Sequence, residues 1–392
     1  MRAFLLRAAL AAFFALSIQA AYAQSEPVLV GLDAEFGHLT STSDDAIKMG
    51  MLTAIDEINA ASGVLGGRRL ALVERDSRSV PARGRENFAE LAGLKDLVAV
   101  FTGKFSPVVI EQAKLANELK LALLNPWAAA DEIVSLEPSG TYTFRLSLRD
   151  AWVLPAVLAH LHSRGIRRFG AILPTSVLGR ATEARLGALK KGAGPQPVGI
   201  AWYNRGVKSM SADYASLVGA GAQAILFVGN EEEGALLLKE MAQLPSERRV
   251  PVVSHWGISG GNFVDLAGDS LGSADLLVVQ TFTFVGRKDA KAAAVVSRAA
   301  ALFGLRGAEG IPSQVGFAHA YDLTHILARA IALAGSTERV AIRDALESGK
   351  DYPGLVDRFA RPFSAASHEA LRPGHVFMGR FLPSGSIQRV AK

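Results

Sequence analysis

The chain has no cysteine at all. That excludes disulfides, cysteine-ligated metal sites and lipid attachment to a leader cysteine. Beyond its first segment it also lacks any run of about 18 apolar residues, the length a membrane-spanning helix needs, so no membrane anchor is expected. Aromatic residues make up only 7% of the sequence, and four of them are tryptophans. An excess of one charge is missing too: 42 basic side chains face 37 acidic ones, scattered among each other. Such mixing argues against a nucleic-acid groove. No H-E-x-x-H or comparable ligand spacing occurs, and His160 and His162 lie two apart on a predicted helix, on different faces. Neither a metal nor a cofactor is expected.

What is present begins with a leader-like segment. Arg2 and Arg7 precede an apolar stretch from Ala8 to Ile18 and the small-x-small triplet Ala21-Tyr22-Ala23. This layout predicts a cleavable secretory signal over residues 1–23, cut after Ala23, and a periplasmic destination. The formal charge of +5 includes Arg2 and Arg7, so residues 24–392 carry +3. That length suits two domains.

From Pro27 onward, short β-like runs alternate with helical patterns. VLVGL is followed by a helix in which Ile47, Met51, Ala54, Ile55 and Ile58 share one face, with Ser43 or Asp44 at its start. RRLALVE, LVAVF and LALLN follow with helices between them. A second series reads FGAILP, PVGIAWY, AQAILFV, VPVVS and DLLVVQ. Two long helical patterns, from Gln314 to Ala334 and around Glu338 to Leu346, precede a tail of β character in HVFMGRFL. Alternation of this kind predicts an α/β fold of two Rossmann-like lobes with parallel sheets. Ligands of such sheets sit beyond the carboxyl ends of the strands. The loops that matter are therefore 33–43, 103–106, 125–130, 174–179, 229–232 and 254–261.

One of those loops contains Gly257-Ile258-Ser259-Gly260-Gly261, which spells the G-x-S-x-G of a hydrolase nucleophile elbow. Asp322, His325 and His375 lie downstream in triad order, but no H-G-G-G oxyanion stretch exists. Glycines that let backbone amides approach a ligand explain the loop more simply. A serine hydrolase using Ser259 is the minor alternative, and no catalytic residue is expected.

The ordered segments VLVGL, DDAIKMGMLTAIDEINAASG, LVAVFTGKFS, LALLNPWAAADEI and AYDLTHILARAIALAG resemble the type I periplasmic solute-binding proteins of ABC transporters, in the leucine/isoleucine/valine-binding branch. The resemblance rests on Gly50 within the first helix, Asp56 to Asn59 near its end, Asp76 before Pro81, Gly103-x-x-Ser106 and Pro126. It implies two lobes joined by a three-strand hinge. The crossings fall near Arg145–Ser147, Val279–Thr281 and Tyr352–Val356. Lobe one is then 24–145 plus 281–354, and lobe two 146–280 plus 355–392. The implied function is a monomeric periplasmic subunit that closes on a small organic solute and delivers it to an inner-membrane ABC permease. A receptor reporting ligand to a sensor kinase is the alternative.

The family places lobe-one hydroxyls and amides on a ligand carboxylate and a lobe-two acid on its ammonium. In this sequence Ser106 is retained, while Ser43 stands where an aromatic is usual, Ala129 where a hydroxyl is usual, and Trp256 where the acid is usual. Losing an acid opposite a buried ammonium costs about 3–5 kcal/mol. Glu231, Glu232 or Glu233 can supply the missing charge, although three glutamates at a helix start read first as an exposed, dipole-stabilised turn. Trp127 and Trp256, on facing loops, predict two flat walls for an aromatic carboxylate or a quaternary amine. The expected ligand-lining set is Ser43, Ser106, Trp127, Ala128, Ala129, Asn230, Trp256 and Gly257, for an amino-acid-like or aromatic carboxylate solute.

Overall fold

The computed structural model describes residues 26–390 except 39–40, 135–139, 191, 193 and 261; the leader expected over 1–23 lies outside the described residues. The first sheet contains β1 (Val28–Ala34), β2 (Leu70–Asp76), β3 (Leu97–Thr102), β4 (Ala122–Asn125) and β5 (Thr143–Arg145), ordered β2-β1-β3-β4-β5. Every pairing in it is parallel. Helices α1 (Thr42–Ala60), α2 (Pro81–Ala92) and α3 (Ser106–Leu119) connect the strands. β3 is buried at all six positions, as expected of a parallel strand covered on both faces.

The chain then enters the second lobe at α4 (Asp150–Ser163). There β6 (Arg168–Pro174), α5 (Val177–Gly187), β7 (Gln196–Tyr203), α6 (Ser211–Gly219), β8 (Ile225–Phe227), α7 (Glu231–Ala242), β9 (Val252–Ser254), α8 (Phe263–Ala267) and β10 (Leu276–Gln280) follow in turn. It returns to pack α9 (Ala290–Phe303), α10 (Gln314–Ala334) and α11 (Arg339–Ser348) with the first lobe. The predicted limits of α10 match those observed.

Two features depart from the sequence reading. The segment Tyr352–Val356, expected as the third crossing, remains with the first lobe. It forms a hairpin of β11 (Tyr352–Pro353) with β12 (Arg358–Phe359). The buried Asp322 of α10 accepts hydrogen bonds from the Tyr352 hydroxyl and from the Leu355 and Val356 amides, at 2.9, 2.6 and 2.8 Å. The chain next runs beside β5, where the Arg145 amide donates to His368 and the Ala370 amide to Arg145. Only after Ala370 does it pass to the second sheet. There β13 (Phe377–Phe381) pairs antiparallel with β10, and β14 (Ile387–Arg389) antiparallel with β13. The second sheet, ordered β14-β13-β10-β9-β8-β6-β7, is thus parallel among β6 to β10 and antiparallel at the edge formed by β13 and β14.

Gly50 sets the contact between α1 and α10. A Cβ there would lie 2.2 Å from the Phe317 carbonyl oxygen, backbone that cannot swing aside. Gly50→Ala should therefore destabilise the fold by about 1–3 kcal/mol; urea denaturation showing no loss would contradict this packing.

Candidate functional site

The loops after β1, β3 and β4 meet those after β8 and β9, so the carboxyl ends of the two sheets face each other. At the centre, Trp127 and Trp256 stack with centroids 4.8 Å apart and planes 19° from parallel. Their exposures are 4% and 1%. The two walls expected around a ligand ring are in fact each other's partner. An intervening ring would need about twice this stacking separation.

Both tryptophans are held from behind. The Trp127 amide donates to Asn125 Oδ1 at 3.0 Å, and its carbonyl accepts from Ser147 Oγ at 2.6 Å. Behind the preceding proline, His319 Nδ1 donates to the Pro126 carbonyl at 2.9 Å while Nε2 accepts from the Thr281 hydroxyl at 3.1 Å. Burial pushes the His319 pKa down to about 3, so the ring stays neutral in this link. On the other lobe, His255 Nδ1 accepts from the Gly257 amide and Nε2 donates to Asp150, both at 3.0 Å. This fixes the tight turn over Trp256–Ser259.

Ser259 has no histidine partner. Its Oγ donates to the Trp256 carbonyl at 2.6 Å and accepts from Gln280 Nε2 at 2.9 Å. Asp322 holds the hairpin, His325 bonds Glu57 and His375 bonds Asp357. These engagements dissolve the triad arrangement. Gly257 has a reason other than ligand approach: a Cβ would meet the Gly229 carbonyl oxygen at 2.3 Å.

The remaining expected residues divide. Trp127, Asn230 and Gly257 border a cavity of about 80 Å³ between the lobes, together with Glu35, Lys104 and Glu231. The Ser43 amide donates across the lobes to the Gly260 carbonyl at 3.1 Å, while its buried Oγ has no partner. Ser106 Oγ accepts from the Ala130 amide at 3.4 Å. Ala128 is fully buried with Val109 and Ile133 in the core outside the first sheet, away from the cleft. Ala129 is 5% exposed, and its carbonyl accepts from the Asp150 amide of the second lobe at 2.9 Å.

The sequence reading named Glu231 as a candidate acid but placed it first on an exposed turn, and it missed the part of Lys104, Glu35 and Asp131. Glu231 and Glu233 are buried rather than on an exposed turn, and Glu231 faces Lys104 of the other lobe at 3.7 Å. Burial raises the Glu231 pKa, and Lys104 opposes that rise. Lys104 also lies 3.6 Å from Glu35. Asp131 pairs with Arg149 at 2.9 Å and with Arg185 of α5. No spacing rule links partners that far apart in sequence. A second inter-lobe cavity, of about 240 Å³, lies beside the crossing at Gln280–Thr283 and includes Thr42, Asn262 and Ser313 in its lining. Gly257 and Gly260 border the smaller cavity, and Ser259 and Asn262 the larger one. Among the described residues no group of histidines, aspartates and glutamates could hold a metal ion.

This geometry defines a two-lobed cleft protein. The chain belongs to the periplasmic binding protein family, whose model matches residues 29–380. The Leu/Ile/Val-binding protein homolog 3 of Brucella melitensis is 24% identical over 343 residues, covering 86% of this chain and 88% of the relative. The solved structure of the branched-chain amino acid transporter substrate binding protein LivJ from Streptococcus pneumoniae, in complex with isoleucine, superposes with a TM-score of 0.76. It has 19% identity, with 93% of this chain and 100% of that one covered. An ABC transporter solute binding protein from R. palustris in complex with benzoate gives 0.74 at 14% identity, with 93% and 95% covered. At these identities the two structures establish the shared type I fold.

Asp44 fixes the cleft loops on the first lobe. Its carboxylate accepts from the Glu35 amide at 3.1 Å and the Lys104 amide at 2.7 Å. Burial pushes its pKa from 3.8 up to about 7. The folded chain thus keeps a proton that the unfolded chain releases above about pH 4. This group's favourable contribution is complete below that pH and is lost as pH rises toward about 7. Over that window, wild-type stability should fall relative to Asp44→Asn by up to about 1.4 kcal/mol per pH unit. Parallel stability–pH curves for the two proteins would contradict it.

Proposed function

We propose that the chain is the ligand-binding subunit of an ABC importer in the periplasm, closing its lobes around a small amino-acid-like or aromatic carboxylate solute and presenting the closed form to the permease. The observation that carries this reading is the set of contacts made only when the lobes meet. They are the tryptophan stack, the Ser43–Gly260 hydrogen bond and the Lys104–Glu231 pair, with cavities bordered by Gly257 and by Ser259. A ligand that touches both walls favours this arrangement over the separated one, which is how binding becomes a shape the permease can recognise. Membership of the periplasmic binding protein family supports the location. The names of the relatives, for branched-chain amino acids and for benzoate, support the solute class.

Thermal shifts of the chain from Gln24 onward, against aliphatic amino acids, aromatic carboxylates and quaternary amines, test the proposal. A solute at 100 times its Kd adds about 2.7 kcal/mol, several degrees for a protein near this size. Stabilisation by one of the two carboxylate panels is the expected result. A response to quaternary amines alone, or to none of the three panels, would count against it.

A further inference from the structure

The larger inter-lobe cavity has features that the tryptophan centre lacks. Its lining comes from both lobes: Thr42 and Ser313 from the first, Asn262 and Phe263 from the second, with Phe282 at the crossing. Its volume of about 240 Å³ is just below the 300–1,000 Å³ typical of ligand sites, the size for a small solute. The cavity of about 80 Å³ beside Lys104 has room for only a few waters.

Two polar atoms in this wall are buried without a partner, Ser313 Oγ and Asn262 Oδ1. Ser313 is 4% exposed and stands directly before α10, a helix of 21 residues whose start no side chain caps. Its first turn, through Val315, forms part of the same wall. Buried polar groups are costly unless hydrogen-bonded, and uncapped first-turn amides at the positive end of a helix favour an anion. Neighbouring Gln314 cannot fill this role. Its amide is spent on Phe284, Thr283, Ala308 and Ser386, which stiffens the wall. Ser313 Oγ and the helix amides are donors suited to a carboxylate. Asn262 Oδ1 is an acceptor and requires a donor, with the carboxylate of the exposed Asp265 also in the lining.

Resting on the solute-binding reading above, we infer that this crossing-side cavity is where the solute sits. There Ser313 and the start of α10 hold the acid group of a small carboxylate, and Asn262 accepts a hydrogen bond from an amino or hydroxyl group on the same molecule. The Trp127–Trp256 stack fills the centre of the cleft, so the solute lies beside the stack rather than between the rings. Phe263 and Phe282 cover its apolar part. Because the polar contacts come from opposite lobes, such a solute bridges them and stabilises closure.

The test uses four probes, L-valine, 2-hydroxyisovalerate, isovalerate and benzoate, titrated calorimetrically into the wild type, Ser313→Ala, Asn262→Leu and Asn230→Ala. Valine or the hydroxy acid should bind at least tenfold more tightly than isovalerate, which lacks the donor. Which of the two wins identifies the donor as ammonium or hydroxyl. Ser313→Ala and Asn262→Leu should each weaken that probe about tenfold or more, with melting temperatures of the free variants showing that both fold. Undiminished binding in these two variants, with loss in Asn230→Ala, would move the site to the Lys104 side; the inference would fail and the solute-binding reading would stand. Binding of benzoate or isovalerate alone would overturn the donor requirement. Binding of no probe would overturn the assigned chemistry, and the broader thermal panel would then decide whether solute binding itself fails.

Discussion

One tryptophan from each lobe lies flat against the other, and the closed arrangement of the molecule depends on that contact. Each ring sits on a loop that its own lobe makes stiff. Asn125, Ser147 and His319 hold the Trp127 loop; His255, Asp150 and Ser259 hold the Trp256 turn. Separating the lobes would return two nearly inaccessible indoles to water and forfeit a stacking energy of about 0.5–1.5 kcal/mol beyond the area term. A solute therefore adds to a closure that the protein already favours. The shift it can cause is limited to its differential affinity for the two arrangements.

Charge completes what stacking begins. Lys104 lies between Glu35 on its own lobe and Glu231 on the other, and Asp131 joins Arg149 and Arg185. Opening would separate Lys104 from Glu231 and Asp131 from Arg185, while the Lys104–Glu35 pair stays within the first lobe. Arg145 does similar work where the chain leaves the first sheet. It is fully buried, bidentate to Glu369 at 2.8 and 2.5 Å, and donates to the Ala130 carbonyl at 2.7 Å. The C-terminal segment is thereby fastened beside β5 before it crosses.

Local patterns made much of the fold legible. The apolar runs became strands, and the periodic stretch from Gln314 to Ala334 became α10 without change of limits, because period and burial agree there. The tail was legible as β but not as antiparallel, since pairing direction is a property of two segments. The crossing at Tyr352 was implied by the resemblance alone; the segment is β, but its partner is Arg358–Phe359 rather than the other lobe. The site was legible only as a set of loops. Trp127 and Trp256 were placed on facing loops, yet nothing in either loop indicates that the rings touch. Glu231 read as surface because its lysine lies on the other lobe. Ser313 carried a usable signal, a serine just before a long amphipathic helix, but its lack of an intrahelical partner exists only in three dimensions.

The central claim is that the two rings are in contact in the free protein, and circular dichroism tests it most directly. Indoles stacked this closely couple their electronic transitions and produce a paired positive and negative band. The account predicts that band pair in the ligand-free chain and its disappearance in both Trp127→Phe and Trp256→Phe. A wild-type spectrum lacking the pair, and differing from each variant only by one isolated indole, would mean that the rings stand apart and the lobes are open.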